Sequence, residues 1–397
     1  MMSGFAKLNT IQFLAAINEN VFKLICAYFL ISLLGDHHSS TIMAVIGGLF
    51  ILPFLLFSSV GGILADKCAK NRVTILTRFL EFVSLIVATV LFTYKVAWSP
   101  YIILVIMATL AALFGPSKYG IIPELLPKER LLYGNGIIAS YTFFGIIIGT
   151  TLASFLLWVT QRDYTITMFF IVAIAFAGFM ISLFLPKTPV ENASKPIRLF
   201  IYLELFDSVK QALTIPGLFT ALFAYCYFLF IGAFIQLNII PYTVQVLHFS
   251  DIYGGYFFLI SSVGLGIGSQ FTSRVSKGSL KLVPLAGVGI SLLLGTAAFF
   301  HDPWWLIIPW MLLLGFFGGM FLVPPQTFIM TMSPEKDRGR NFASANFFSF
   351  VFALLASLAL YLLNTTLGLA PNVSFLIIGL LNLGISFLFW RDLLSSR

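Results

Sequence analysis

Residues 61–72 read GGILADKCAKNR, and in this stretch a long apolar segment gives way to a basic loop. No Asp, Glu, Lys or Arg occurs between Asp36 and Asp66, and Lys67 and Arg72 follow shortly afterwards. Roughly 20 consecutive apolar residues are enough for a helix to cross a bilayer core. The pattern therefore predicts a membrane span that ends here, on the side where positive charge collects.

The rest of the chain repeats this alternation of apolar segments and short polar loops. Of its 397 residues, 59% are hydrophobic and 10% are charged, and the mean hydropathy is +0.99. Backbone polar groups in lipid must be satisfied within the segment, so we expect an all-α membrane protein with twelve transmembrane helices. The spans are predicted near 10–34, 41–64, 74–95, 100–121, 133–158, 165–186, 216–240, 251–274, 281–300, 303–326, 340–364 and 372–391.

Positively charged residues fall almost entirely on one side of these spans. Of 23 Lys and Arg residues, 20 share that side; Lys23 lies within the first span, and Lys95 and Arg162 lie opposite. Positive charge accumulates in short cytoplasmic loops, so we predict a multi-pass protein with both termini cytoplasmic and a first span that is not cleaved. Anionic lipid surfaces account for the net charge of +8, which implies no nucleic-acid partner.

An internal repeat relates the two halves at an offset near 207 residues. Residues 61–67 align with 268–274, and Pro127 aligns with Pro334, both followed by charged residues. We therefore predict two similar six-helix bundles, 1–186 and 216–397, each made of six spans. Between them, residues 187–215 are predicted to form a cytoplasmic linker with an amphipathic helix, with a simple connector as the alternative.

The loop stretch 61–72 and the two-bundle pattern resemble the major facilitator superfamily across the whole chain. That resemblance implies two pseudo-symmetric six-helix bundles, with a site near the bilayer midplane whose access alternates between the two sides. In the same superfamily-like loop, Asp66, Lys67 and Arg72 are expected to act in conformational change, with a role in membrane topology as the alternative. For Lys70, a role in membrane topology alone is the expected one.

Three further stretches are similar to the lysophospholipid transporter family. They read QFLAAINENVFKL at 12–24, FGPSKYGIIPELLPKERLLYGNG at 114–136 and MFLVPPQTFIMTMSPEKDRGRNFASANF at 320–347. The resemblance implies a flippase of the bacterial inner membrane that moves lysophospholipids such as lysophosphatidylethanolamine inward, where a separate acyltransferase would act on them. We expect the transporter to be a monomer. The chain has Glu19-Asn20 where the family usually has Asp-Asn.

Ionisable side chains inside a span are costly, so each one is a functional hypothesis. Glu19 and Lys23 are four residues apart and are expected to share one face of the first span, as an ion pair that lines a cavity. Asn18 and Asn20 flank Glu19 and offer further hydrogen bonds to a zwitterionic headgroup. The alternative is that Glu19 and Lys23 only neutralise each other.

In the third span, Arg78 and Glu81 are three residues apart on one face. We expect either a structural ion pair or a gate at which Glu81 binds a coupling proton.

Prolines and polar residues extend the list of candidates in other spans. Pro116 in span 4 and Pro324-Pro325 in span 10 are expected to interrupt their helices and expose backbone carbonyls. Lys118 and Tyr119 beside the first, and Gln326 beside the second, are then substrate-binding candidates, with plain kinks as the alternative. Gln236, Asn238 and Asn346 are expected either to extend the cavity or to hold helices together, and Gly145, Gly149, Gly264, Gly266 and Gly268 to serve close helix packing.

Other function classes have less support. A carrier of a soluble metabolite predicts more intramembrane charge than is present, and a channel predicts a filter motif that we do not find. A membrane acyltransferase usually needs a His with an acidic partner, and His37, His38, His248 and His301 fall in external loops or at external edges. The three cysteines are too widely spaced for a metal site or a disulfide framework. We therefore expect a transporter with no catalytic residue, metal or cofactor.

Overall fold

The structure is a computed structural model that describes residues 3–127, 130–189, 210, 213–275, 279–297, 304–332 and 338–395. These residues form helices, and twelve of the helices correspond to the twelve predicted spans. They are α1 Gly4–Leu34, α2 Ser39–Lys67, α3 Lys70–Thr93, α4 Ser99–Leu125, α5 Leu131–Val159, α6 Tyr164–Ser182, α7 Leu218–Gln245, α8 Ile252–Val275, α9 Leu282–Thr296, α10 Ile307–Met332, α11 Arg338–Leu360 and α12 Pro371–Ser395.

Eleven of the twelve helices are long and apolar enough to cross a membrane within the described residues; α9, with 15 residues, is shorter. α11 continues into a π-helical segment, Tyr361–Thr366. Large apolar side chains such as Phe144 and Leu292 are more than half exposed, whereas Asn18 and Asn238 are fully buried. This distribution suits a protein surrounded by lipid, and the all-α membrane fold is confirmed.

The helices group into two compact units. Unit 1 comprises Met1–Gly35 with Leu49–Leu199, and unit 2 comprises Asp36–Gly48 with Phe200–Arg397. The predicted linker helix falls mainly on 190–209 and 211–212, which lie outside the described residues, so it stays a prediction.

The same packing order occurs in both units. In unit 1, α1 packs against α4, α5 and α6, and α3 packs against α4 and α6. In unit 2, α7 packs against α10, α11 and α12, and α9 packs against α10 and α12. Adding six to both helix numbers of each unit 1 pair gives the corresponding unit 2 pair. The internal repeat in the sequence therefore corresponds to a repeated helix arrangement.

Two glycines at the repeat offset make equivalent close contacts. A methyl group on Gly61 of α2 would lie 2.9 Å from the backbone oxygen of Ala112 on α4. Gly268 of α8 lies 207 positions later and packs directly on the backbone of Phe316 on α10. Gly264 also packs on the α10 backbone, but Gly266 has nothing within 4 Å of where a methyl group would stand. The close-packing prediction is thus confirmed for Gly264 and Gly268 and wrong for Gly266, which faces away from α10.

The prolines do not interrupt their helices. α4 is continuous through Pro116 and Pro123, and α10 is continuous through Pro324 and Pro325. The prediction that these prolines interrupt their helices is therefore wrong. Proline is tolerated inside a packed membrane helix because neighbouring helices and local adjustments satisfy the freed backbone groups.

Candidate functional site

Helix α1 carries the candidate site and is largely buried within unit 1. Gly145 and Gly149 on α5 allow the two helices to approach closely. A methyl group on Gly145 would lie 2.6 Å from Cβ of Ala16, and one on Gly149 would lie 3.0 Å from Cα of Ile17. The predicted packing role of both glycines is confirmed, and this contact fixes the position of the polar residues that follow Ile17.

Five polar or charged residues from three helices form a group that we call the charge cluster: Asn18 and Glu19 of α1, Arg78 and Glu81 of α3, and Lys118 of α4. Arg78 and Glu81 form a buried ion pair, with 2% and 4% of their side chains exposed. Asn18 Nδ2 donates a hydrogen bond of 2.8 Å to Oε1 of Glu81. The predicted Arg78–Glu81 ion pair is confirmed, and Asn18 is committed to the same carboxylate.

Arg78 also connects the cluster to α4. Its guanidinium carbon lies 4.6 Å from the ring centroid of Phe114, which belongs to a buried apolar core with Leu8 and Ile122. Lys118 follows Phe114 by one helical turn and is buried, with Nζ 4.7 Å from the centroid of the Tyr119 ring. The Tyr119 ring itself is exposed.

Glu19 is half-buried, whereas the other four members of the cluster are buried. Arg78, Glu81 and Lys118 all lie near enough to interact electrostatically with its carboxylate. Within the described residues, no side chain forms an ion pair or a hydrogen bond with the Glu19 carboxylate. The neighbours of Glu19 therefore act on its carboxylate electrostatically and not through a described hydrogen bond or ion pair.

The expected ion pair between Glu19 and Lys23 is not formed. Lys23 is buried, and its Nζ lies 5.0 Å from the centroid of the Phe50 ring on α2. Asn20 is buried and bonds to the backbone oxygen of Ala16 in its own helix, at 2.9 Å. Spacing along α1 placed Glu19 and Lys23 on one face, but the helices that pack on α1 supply different neighbours to each.

Three buried polar atoms in this region keep unused hydrogen-bonding capacity. Asn18 Oδ1, Arg78 Nε and Ser117 Oγ have no hydrogen-bond partner among the described residues. Buried polar atoms are normally paired, because leaving one unpaired costs free energy. Together with the open carboxylate of Glu19, these atoms give the cluster both donors and acceptors for a polar ligand group.

The sequence matches the Major Facilitator Superfamily over residues 8–283, well over half of the chain. The chain belongs to the Major Facilitator Superfamily. Solved transporters share this fold: the structure of the nucleoside transporter NupG has a TM-score of 0.70 at 14% identity and the match covers 99% of both chains. A bacterial homologue of the human lysosomal transporter Spinster has a TM-score of 0.71 at 14% identity, covering 99% of this chain and 98% of that one.

Proteins related in sequence show which members of the superfamily this chain is similar to. A protein named lysophospholipid transporter LplT from Enterobacter sp. (strain 638) is 23% identical over 373 residues, covering 92% of this chain and 90% of the relative. One of the same name from Photorhabdus laumondii is 25% identical over 280 residues, covering 69% and 67%. The chain is thus a membrane-spanning transporter of the superfamily, similar to these proteins, and not an enzyme.

The superfamily-like loop between α2 and α3 lies apart from the charge cluster. Arg72 is exposed and Lys67 is half-buried, while the side chain of Asp66 lies outside the described part of the structure. Their conformational role stays a prediction. Lys70, expected to act only in topology, is buried and bonds to Glu124 of α4 at 2.7 Å. Sequence reasoning missed this pair because its members are 54 residues apart.

The predicted residues of unit 2 are less tightly grouped. Gln236 and Gln326 are half-buried on α7 and α10, and Asn346 is exposed on α11. Asn238 holds helices together, as one of the two alternatives predicted: its Nδ2 donates to the backbone oxygen of Pro371, and its Oδ1 accepts from Asn364 at 3.0 Å. The strongest gathering of predicted site residues is therefore the charge cluster of unit 1.

Proposed function

We propose that this transporter moves lysophospholipids across the bacterial inner membrane to the cytoplasmic leaflet by alternating access, as a monomer with both termini cytoplasmic. The delivered lipid would then be reacylated by a separate acyltransferase. The names of the relatives support the substrate class, and the asymmetric distribution of Lys and Arg supports the orientation.

The observation that carries this proposal is the charge cluster. A phospholipid headgroup such as phosphoethanolamine has a negative phosphate and a positive ammonium group. The cluster presents an open carboxylate at Glu19 and a cation at Lys118, while Arg78 and Glu81 already neutralise each other. A headgroup with charges of both signs is therefore matched by two residues of opposite sign.

Energetics favour this arrangement for a headgroup that must leave water. A charge transferred into a low-dielectric interior is tolerated only when it is paired. Other polar side chains that contact α1 from α5, such as Thr142 and Ser154, are uncharged and cannot neutralise a phosphate. One cation and one accessible anion meet the minimum requirement of a zwitterion, with few polar groups left over for a larger soluble metabolite.

Uptake of labelled lysophosphatidylethanolamine into proteoliposomes tests the proposal. We expect saturable uptake by the wild type and a loss of about tenfold or more for Glu19→Gln and for Lys118→Gln, because each loses a charged partner of the headgroup. Asp36→Asn and Arg274→Gln remove an exposed charge of each sign outside the cluster, and we expect them to transport within about twofold of the wild type.

Two results would count against the proposal in different ways. Folded wild-type protein that does not transport the lipid would contradict the substrate class and favour a carrier of a soluble metabolite. Full transport by both cluster variants would retain the substrate class and remove the cluster as the headgroup site.

A further inference from the structure

The charge cluster contains two carboxylates in different surroundings. Glu81 is buried, accepts a hydrogen bond from Asn18 and is ion-paired with Arg78. Glu19 is half-buried, and no described residue forms a hydrogen bond or ion pair with its carboxylate. Two acids with such different partners take on different protonation roles. The Glu81 carboxylate is committed to Arg78 and Asn18, whereas the Glu19 carboxylate has no such fixed partner among the described residues.

Few charged side chains lie on the helices around Glu19. α3 supplies Arg78 and Glu81, which neutralise each other, and α4 supplies Lys118. On α1 itself, Lys23 lies over the Phe50 ring. α5, α6 and residues 49–65 of α2 contain no Asp, Glu, Lys or Arg. The helices packed around α1 also carry tyrosines, among them Tyr101 and Tyr119 on α4, Tyr141 on α5 and Tyr164 on α6.

Arg78 and Lys118 are the two described cations that act on Glu19, and Arg78 is already ion-paired with Glu81, so Lys118 is the one left to balance Glu19 in the empty cluster. A headgroup phosphate that binds Lys118 takes that cation away from Glu19. A zwitterionic headgroup replaces it with its own ammonium group. An anionic headgroup brings no cation, and a carboxylate left without a counter-charge in a low-dielectric interior binds a proton.

Building on the proposed function, we propose that Glu19 takes up one proton with each anionic lysophospholipid and none with each zwitterionic one. The proton comes from the outer aqueous phase, bonds to a Glu19 carboxylate oxygen as the phosphate engages Lys118, and leaves to the cytoplasm when the lipid is released.

Both transport cycles are then electrically neutral in the cluster. With either lipid, the loaded cluster carries the same total charge as the empty one. A negative-inside membrane potential, which opposes inward movement of a negative headgroup, acts on neither cycle.

The test uses the full chain in proteoliposomes that contain a pH-sensitive dye. Lysophosphatidylglycerol and lysophosphatidylethanolamine with the same acyl chain are added outside, and lipid uptake is measured together with internal pH. We expect one proton to enter per lysophosphatidylglycerol and none with lysophosphatidylethanolamine. A negative-inside potential imposed with potassium and valinomycin is expected to leave both uptake rates within about twofold, since neither cycle moves net charge.

Glu19→Gln separates this proposal from a purely structural role. Glutamine imitates a protonated carboxyl group, so the variant is expected to keep uptake of the anionic lipid, lose its proton entry and become slower under a negative-inside potential. Its uptake of the zwitterionic lipid is expected to be lost. Glu19→Asp is expected to restore the wild-type pattern, and Asp36→Asn to keep it.

Equal proton entry with both lipids, or uptake of the anionic lipid by the wild type without proton entry, would overturn this inference and leave the proposed function intact. Absence of uptake of both lipids by folded wild type would overturn the proposed function and this inference together. The comparison of two lipids on the wild type decides the matter even if Glu19→Gln does not fold.

Discussion

The interiors of the two units use polarity in different ways. Unit 1 buries ionisable side chains in mid-helix positions, among them Lys23, Arg78, Glu81 and Lys118. The helices of unit 2 contain Lys, Arg, Asp or Glu only near their ends, as at Arg274. Packing order is repeated between the units, so fold alone did not require buried charge. Among the described residues, buried charge at mid-helix positions occurs in unit 1, which fits the proposed role of the charge cluster in recognition of a charged group.

Inside unit 2, the helices are joined by amide hydrogen bonds and by contacts between aromatic rings. Asn382 Nδ2 donates to the backbone oxygen of Gly287 at 2.7 Å and to Ser291 Oγ at 2.9 Å. Phe375 makes ring contacts with Phe234, Tyr242 and Trp310 at centroid distances of 5.4 to 6.3 Å. Neutral groups of this kind hold helices together but distinguish poorly between headgroup charges. We therefore expect charge changes in unit 1 to alter substrate choice as well as stability, whereas changes in unit 2 alter stability alone.

The largest stability effect is expected at the buried ion pair of unit 1. Arg78→Gln leaves Glu81 buried without its cation, and we expect unfolding free energy to fall by about 3 kcal/mol or more. The double variant Arg78→Gln/Glu81→Gln is expected to recover much of that loss. Arg72→Gln, an exposed change on the same helix, serves as control with an effect of at most about 0.5 kcal/mol. Thermal unfolding in detergent measures the stability of all three variants. If Arg78→Gln is as stable as the wild type, the ion pair is dispensable for stability.

An intermediate effect is expected at the closest helix contact of unit 2. Gly268→Ala places a methyl group against the backbone oxygen of Phe316, so α8 and α10 must separate, at a cost of about 1–3 kcal/mol. Gly266→Ala, two residues away, meets nothing within 4 Å and is expected to be neutral or slightly stabilising. Gly61→Ala tests the equivalent contact of unit 1. Unfolding midpoints that do not separate Gly268→Ala from Gly266→Ala would contradict the observed packing.

The smallest effect is expected for an amide in unit 2. Asn382→Ala removes hydrogen bonds to Gly287 and Ser291, and interhelical hydrogen bonds in membranes contribute about 1 kcal/mol. We expect a small decrease in unfolding temperature and lipid uptake within about twofold of the wild type. A change in headgroup preference in this variant would break the division of roles between the units.

Much of the fold follows from the sequence because bilayer thickness fixes the length of each span. Apolar runs located twelve helices, and the spacing of Arg78 and Glu81 correctly predicted an ion pair within one helix. Continuous helices through Pro116 and Pro324 were not expected, because the packing that satisfies the backbone at a proline comes from neighbouring helices. Local spacing informs only on contacts within a helix.

The candidate site shows the same limit. Glu19, Lys23 and Lys118 are recognisable from the amino-acid sequence because each is an ionisable residue within an apolar span. Spacing along α1 could not reveal that α3 and α4 surround Glu19 or that Phe50 lies under Lys23. Those neighbours depend on how α1, α2, α3 and α4 pack, which a pattern within one helix does not record.

We expect the charge cluster to recognise a headgroup that has a positive and a negative charge. Competition for uptake of labelled lysophosphatidylethanolamine tests this most directly. Unlabelled lysophosphatidylethanolamine and a monoacylglycerol with the same acyl chain are compared as competitors on the wild type. We predict that the lysophospholipid competes at least about tenfold more strongly, because the monoacylglycerol has neither phosphate nor ammonium group for Lys118 and Glu19. Equal competition by the two would show that the acyl chain alone is recognised and would contradict the account.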